Sequence, residues 1–390
     1  MGLRILWSSN APWCHTGYGV QAKYILPRLA KMGHETAVFA WYGLEGAMFA
    51  INLDGVSIPV YPKHNDSLGR DVIGAHAKHF GADVVVTLMD IWVLPQNFQN
   101  VCGCAWAPWF PVDHEPVPPI VRDVAKTATF PMTYSQAGAD EMKRQGVRTW
   151  YMPMGVDTKM FAPGGKAEAR KALGFPADAF IVDMVAANKG YPSRKALSEN
   201  IEAFARFRQA HTEAFLYLHT EEDQSRGGLD LRALLAALQV PASAFKFVNQ
   251  YEYNLLGLND EYMANVYKAS DLHLGVATNE GFGIPILEAQ ACGCPVLTLD
   301  FTSMTELTWA GYTLKAEQHT FDLLNSWVGA VSVEAVREGM EQVYNWTAEE
   351  RAERCAVGVA QAQAYDWDIV TEKHWRPLLE GMEWYLKGER

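Results

Sequence analysis

The segment Thr278-Asn-Glu-Gly-Phe-Gly-Ile-Pro-Ile-Leu-Glu-Ala-Gln-Ala-Cys-Gly-Cys-Pro295 concentrates residues able to do chemistry. Short apolar runs, Leu272–Val276 and Val296–Leu299, flank it and read as strands. Pro285 suits the first position of the helix between them, Gly293 its C-terminal end and Pro295 the stop. The turn Gly281-Phe282-Gly283 then falls at a helix N-terminus, where free N–H groups and the positive end of the dipole attract phosphate. Its glycines let a ligand approach the backbone closely. Glu280 lies in the loop and Glu288 one turn inside the helix, so both carboxylates can face one cleft. A diphosphate on the N–H groups, with the carboxylates accepting from sugar hydroxyls, makes a coherent sugar-nucleotide site. A strand–loop–helix with merely solvated carboxylates has the same spacing, and the pattern alone does not choose.

The surrounding elements must hold that loop. Strand-like runs alternate with helix-period segments along the chain, the pattern of an α/β protein with parallel sheets. In the first half, strands are predicted at Leu3–Ser8, Thr36–Trp41, Asp83–Met89, Val101–Trp106 and Thr129–Tyr134, and helices at Gly19–Met32, Leu68–Phe80 and Gln136–Gln145. Gly33 and Gly146 stand where C-terminal caps belong, and Ser135 where an N-cap does. Pro and Gly punctuate the stretch from Met152 to Gly165, which suggests an inter-domain connection. A second alternation follows, with strands at Phe180–Ala186, Phe215–Thr220, Phe245–Val248, Leu272–Val276 and Val296–Leu299. Helices are predicted between them at Ala196–His211, Leu229–Gln239, Asp260–Ala269 and Pro285–Cys292, and the tail from Val333 to Lys387 reads as helical. Two doubly wound units bind ligands at the carboxyl ends of their strands, so a cleft between them is the expected site.

Length and composition agree. A chain of 390 residues suits two domains, and with 49% apolar residues each can bury a core. The formal charge of −12 disfavours a nucleic-acid backbone or an anionic membrane as main partner. No apolar run approaches the roughly 20 residues of a membrane span. The opening apolar run reads as a first strand rather than a signal peptide, so a cytoplasmic location is expected. Cys102/Cys104 and Cys292/Cys294 form Cys-x-Cys pairs within apolar patterns, spaced too tightly for structural zinc, and no metal site is expected. The 13 Trp residues suit either core packing or platforms for sugar rings.

The loop-helix stretch resembles the E-x7-E motif of retaining GT-B glycosyltransferases, in particular the family called GT4. Ala269-Ser-Asp271 is similar to the family's lead-in, Ala291-Cys-Gly-Cys-Pro-Val296 to its A-x-G-x-P-V, and Glu306 falls where the next loop usually carries Glu. Gly17-Tyr18-Gly19 resembles the N-terminal glycine-rich loop, and Gly33-His34 the pair closing the first helix. Tyr151-Met-Pro-Met-Gly-Val-Asp157 through Phe161 resembles the linker, and Trp367 the aromatic before the last helix. The resemblance implies two Rossmann-like, doubly wound domains facing a cleft: an acceptor-side domain over 1–160 and a donor-side domain over 161–365. It implies further that a C-terminal helix over 366–390 crosses back to the first.

It also implies roles. Glu288 would hold the ribose hydroxyls of a nucleotide, Glu280 the transferred sugar, and Gly281, Phe282, Gly283 and Ile284, with Gly17, Tyr18 and Gly19, the rest of the donor. Arg194 and Lys195 correspond to the pair that grips the diphosphate. Their loop is longer than usual, Ala187 stands where Arg is common, and Lys189 is a rival. Many relatives carry a His after the fourth strand, whereas this chain has Asp90, a candidate for donor or acceptor contact. Trp109, Asp113 and His114 follow the next strand as candidates for an acceptor platform or for packing. The expected activity is transfer of a sugar with retention from a nucleotide-diphosphate sugar, without metal or other cofactor. The acceptor stays open: glycan, lipid-linked glycan, small molecule, protein or modified nucleobase. An epimerase, a phosphorylase or a non-catalytic sugar-nucleotide-binding subunit remain alternatives.

Other motifs carry less. Gly17-x-Gly19-x-x-Ala22 fits a dinucleotide fingerprint, but the glycines come late after the first strand and the second strand ends Phe39-Ala-Trp41 without an acid. Asp366-Trp-Asp368 matches a metal-binding D-x-D, yet it sits at a helix start and reads as capping. His15 and His114 are lone histidines, weak as evidence for general bases.

Overall fold

The structure is a computed structural model that describes residues 2–316 and 318–388. It divides into two compact units. Unit 1 comprises Met1–Gly155, Leu323–Ser326 and Trp367–Arg390, and unit 2 comprises Val156–Asp322 and Trp327–Asp366.

Unit 1 holds eight strands: β1 (Arg4–Asn10), β2 (Glu35–Tyr42), β3 (Phe49–Leu53), β4 (Val56–Pro62), β5 (Val84–Leu88), β6 (Ala105–Phe110), β7 (Met132–Thr133) and β8 (Trp150–Tyr151). They form one sheet in the order β3-β4-β2-β1-β5-β6-β7-β8, parallel except for the β3–β4 hairpin. Central strands such as β5 are buried along their whole length because helices cover both faces, which is why they read as near-continuous apolar runs. The hairpin was not foreseen. Its turn is Asp54-Gly55, both at positive φ (48° and 81°), the geometry that a two-residue hairpin loop demands.

One predicted strand is displaced. Val101 lies in a short helix, Phe98–Cys102, that ends at Gly103 with φ of 72°. The strand proper is Ala105–Phe110, with Pro108 seated opposite Thr87. Ending the predicted strand at Trp106 placed Trp109 in a loop, when it lies within the strand.

Much of the aromatic wealth of unit 1 is core, although Trp13, Trp92, Trp150 and Trp384 are exposed. Trp7, Trp109 and Trp375 are fully buried and pack on one another with ring centroids 5.3 to 5.9 Å apart. Trp367 stacks on Tyr24 and fills the space beside Gly155, where a Cβ would lie 2.4 Å from its ring. The C-terminal segment is thereby part of unit 1. Asp366 accepts from the Thr158 hydroxyl at 2.6 Å and Asp368 from Arg28 at 2.8 Å, so the two carboxylates have separate partners.

Unit 2 carries β9 (Ile181–Val185), β10 (Phe215–His219), β11 (Phe245–Phe247), β12 (Leu272–Leu274), β13 (Val296–Leu299) and β14 (Gly311–Leu314). Their order is β11-β10-β9-β12-β13-β14 and every pairing is parallel. This is the doubly wound arrangement in which the strand order reverses between the first and fourth strands, here β9 and β12. A crevice opens at the carboxyl ends of that pair in such sheets, and the loops leaving β9 and β12 carry Arg194, Lys195 and Glu280. In unit 1 the reversal falls between β1 and β5, which are followed by the Gly17 loop and by Asp90.

Candidate active site

The loop after β12 is held by hydroxyls from the loop after β13. Thr302 Oγ1 donates to the Glu280 carbonyl at 3.0 Å. Ser303 Oγ donates to the Glu280 and Phe282 carbonyls at 2.8 Å each. Thr302 adopts φ 52° and ψ −134°, a strained conformation for a β-branched residue, and these bonds help to hold it there. Gly283 has φ of 107° and opens the helix Ile284–Ala291, with Pro285 in its first turn. A side chain at Gly283 would be strained and would press on Ile286, with a Cβ 2.8 Å from Ile286 Cδ1.

The loop after β9 is tied to the same place. Arg194 O accepts from Thr278 N at 2.9 Å, and Arg194 Nη1 donates to the Asn279 carbonyl at 2.6 Å. Asn200, fully buried, donates to the carbonyls of Lys195 and Val276 and pins the turn against the end of β12. Ala196 within that turn has φ of 46°, the second strained residue beside the site.

These constraints converge on one charge cluster. The Glu280 carboxylate is buried, 3.0 Å from Arg194 Nη1 and bonded to Lys195 Nζ. Burial alone would push its carboxyl up, but the Arg194 and Lys195 charges outweigh burial and hold it at about 2. Two cations and one anion therefore stand beside a helix N-terminus at the switch point of the sheet.

Glu288 has a different environment. It is partly buried on the same helix and accepts from the Tyr267 hydroxyl at 3.0 Å. Burial pushes its carboxyl up to about 8; the Tyr267 hydrogen bond opposes this and the nearby Asp260 charge adds to it. A carboxyl that holds its proton more tightly folded than unfolded loses stability as pH rises from about 4.5 through about 8. The Glu288→Gln variant should match the parent protein at pH 5 and be more stable by roughly 2 kcal/mol or more at pH 8. Denaturant unfolding at the two pH values checks this, and a difference that does not change with pH contradicts it.

The remaining predicted residues fall unevenly. Lys195, Glu280, Gly283, Pro285 and Ile286 line one small pocket with His273 and the end of β9. Glu288 and Ile284 lie on the helix beyond it, and Gly281 is buried in the turn. The Phe282 side chain is turned inward against Tyr365, so only its backbone is placed to meet a ligand. Lys189 is exposed on a segment bridged to Gly227 and is absent from the Glu280 cluster. Glu306 sits on the short helix Ser303–Leu307. Among the described residues no group of three or more His, Cys, Asp or Glu is placed to hold a metal ion, and no helix is long and apolar enough to cross a membrane.

In unit 1, Gly17 opens the helix Gly17–Lys31, but the Gly19 amide is already bonded to the capping hydroxyl of Thr16. Gly19 is required because a Cβ there would lie 2.2 Å from the Cys14 carbonyl. Tyr18, Asp90 and Asp113 gather around buried Tyr134, whose phenol is pushed up by burial first and then by these three neighbours. The acceptor platform expected of Trp109 and His114 requires correction. Trp109 is fully buried, donating its indole N–H to the Met152 carbonyl at 2.7 Å. His114 is buried also, with Nδ1 2.7 Å from Asp113 Oδ1. Of the three, Asp113 alone retains partial exposure.

Sequence reading missed Thr302, Ser303 and Asn200. Hydroxyl and amide side chains that bond the main chain leave no spacing signal, since their partners are far away in sequence.

Comparison with known proteins points to the same segment. Residues 249–318 match the family described as Glycosyl transferases group 1, a span that includes Glu280, the glycine turn and Glu288. A D-inositol 3-phosphate glycosyltransferase of Geodermatophilus obscurus is 29% identical over 273 residues, 68% of this chain and 52% of that protein. The chain spans about half the length of the curated relatives it matches. Sucrose-phosphate synthase from Thermosynechococcus elongatus superposes with a TM-score of 0.75 at 17% identity, covering 97% of this chain and 100% of that one. Anabaena Alr3699/HepE in complex with UDP-glucose superposes with a TM-score of 0.71 at 15% identity, covering 96% and 99%. The fold is GT-B, and residues 249–318 of its second unit match the group 1 family.

Proposed function

We propose that this chain, a GT-B protein with a group 1 domain in its second unit, transfers a sugar from a nucleoside diphosphate sugar to an acceptor hydroxyl, with retention and without a metal. The observation that carries the reading is the Arg194–Lys195–Glu280 cluster beside the amino end of helix Ile284–Ala291. A nucleoside diphosphate leaves readily only if its growing negative charge is stabilised, and preorganised cations with a helix dipole do this. Arg194 and Lys195 supply two positive charges against the single charge of Glu280, so the site is net positive before the donor arrives. Glu280, ionised throughout the working pH range, accepts from the sugar's hydroxyls. Glu288 accepts from the ribose.

The carbon–oxygen bond to the diphosphate breaks as the acceptor oxygen approaches from the same face, and the acceptor's proton passes to a phosphate oxygen. Asp90 and Asp113, which follow strands of unit 1, would suit a polar, hydroxyl-bearing acceptor. The Anabaena neighbour's complex with UDP-glucose supports the donor class and puts UDP-sugars first in any screen.

A thermal-shift panel of UDP-, GDP-, ADP- and TDP-sugars tests the reading. A donor at one hundred times its Kd should stabilise the protein by about 2.7 kcal/mol. Glu288→Ala should abolish most of that shift while leaving the unliganded protein folded. No shift with any donor would sink the proposal, and loss of turnover in EDTA would sink its metal-free part.

A further inference from the structure

Beneath the Glu280 cluster lies a second ionisable pair that the proposed reaction does not use. Asp183 on β9 and His273 on β12 are register partners on adjacent central strands. His273 Nδ1 lies 2.7 Å from Asp183 Oδ2, and the two residues are 1% and 0% exposed. Asp183 Oδ1 is buried with no hydrogen-bond partner.

The other imidazole nitrogen faces elsewhere. His273 lines the pocket that Lys195, Glu280 and Gly283 also line. With Nδ1 committed to Asp183, Nε2 is the nitrogen left for that pocket. Gly275 keeps it uncovered, since a Cβ there would lie 3.3 Å from Nε2. The pocket measures about 20 Å³, room for one water. The groups packed around the pair are Tyr217, Tyr267, Cys292 and Cys294 near Asp183, each held neutral by burial, and Glu288 beyond Tyr267. Lys195 and Glu280 stand at the pocket itself.

We propose that His273, oriented by Asp183, is an additional phosphate-binding group: its Nε2–H donates through one water to an oxygen of the bound diphosphate. Asp183 is the positioning residue, fixing the proton at Nδ1 so that protonated His273 presents a second N–H to the pocket. The inference rests on the nucleoside diphosphate reading. It adds a pH dependence to phosphate binding, because His273 attracts the anion only while it carries its second proton.

Calorimetric titration of the full chain and its His273→Gln variant, from pH 6 to 8.5, tests this with inorganic pyrophosphate and with UDP as separate probes. Pyrophosphate has no ribose for Glu288 to meet, and its own titration cancels between the two proteins. The parent protein should lose about tenfold more pyrophosphate affinity across that range than the variant does. Histidine ¹⁵N NMR of the unmutated chain gives a second readout that needs no variant: pyrophosphate added at pH 7.5 should protonate Nε2 of His273. Parallel pH curves, or an imidazole signal that pyrophosphate leaves unchanged, would overturn the inference while leaving nucleotide binding intact. Pyrophosphate binding with the His273-dependent slope but no UDP binding would uphold it and remove the nucleotide reading. Binding of neither probe would overturn both.

Discussion

Replacing Glu280 with Gln should lower turnover at saturating donor by about two to three orders of magnitude while tightening binding of the free nucleoside diphosphate. The two effects have opposite signs because Glu280 has two relationships. Toward the sugar it is an acceptor whose charge counts most when the anomeric centre becomes positive, so its loss is felt in the transition state. Toward the diphosphate it is a like charge, and it competes for Arg194 and Lys195, which contact it in the unliganded protein. Glutamine keeps the shape, and the loop stays clamped by Thr302 and Ser303 through backbone carbonyls that the substitution leaves alone. Steady-state kinetics and calorimetry with the product nucleotide check both halves. Equal losses in rate and nucleotide affinity would mean that Glu280 only supports the loop.

Local chemistry made the loop and helix start around Glu280 legible. Glu280, the Gly281–Gly283 turn, Pro285 and Glu288 announce themselves because a helix start needs glycine, proline and free amides at fixed offsets. The parallel sheets were legible for a similar reason: strands such as β5 and β10, buried on both faces, are mostly apolar runs. What failed depended on partners remote in sequence. The strand was predicted to end at Trp106, yet Pro108 pairs opposite Thr87 and Trp109 goes into the core. The β3–β4 hairpin was signalled by Asp54-Gly55, but the runs beside it alternate weakly because β3 is an edge strand with mostly exposed residues. The pairing of Asp183 with His273 was invisible because it needs the register of two strands ninety positions apart. Arg194 and Lys195 were named for a diphosphate, and their contact with Glu280 could not be read from spacing, since the loop that carries them is longer than its relatives' pattern suggests.

Exchanging Arg194 and Lys195 together for Met should cost about four orders of magnitude in rate, the departing diphosphate losing two preorganised cations. That loss must be separated from damage to the fold, because the exchange also strands Glu280. With its partners present, the Glu280 carboxyl sits at about 2, below the ordinary 4.5, so it contributes stability that is present above 4.5 and lost as pH falls through about 2. Without them only burial acts, and burial raises the carboxyl. The sign of the pH dependence should therefore invert, the double variant becoming less stable as pH rises above 4.5, by about 3–5 kcal/mol at neutral pH. Adding Glu280→Gln to the double variant removes the stranded charge. Denaturant unfolding should then show stability restored and independent of pH in this range, while single-turnover transfer stays as slow as before. If the triple variant turned over as fast as Glu280→Gln alone, the cations would be no more than counter-ions for a buried glutamate. If it stayed far slower than that single variant, their charge acts on the leaving group.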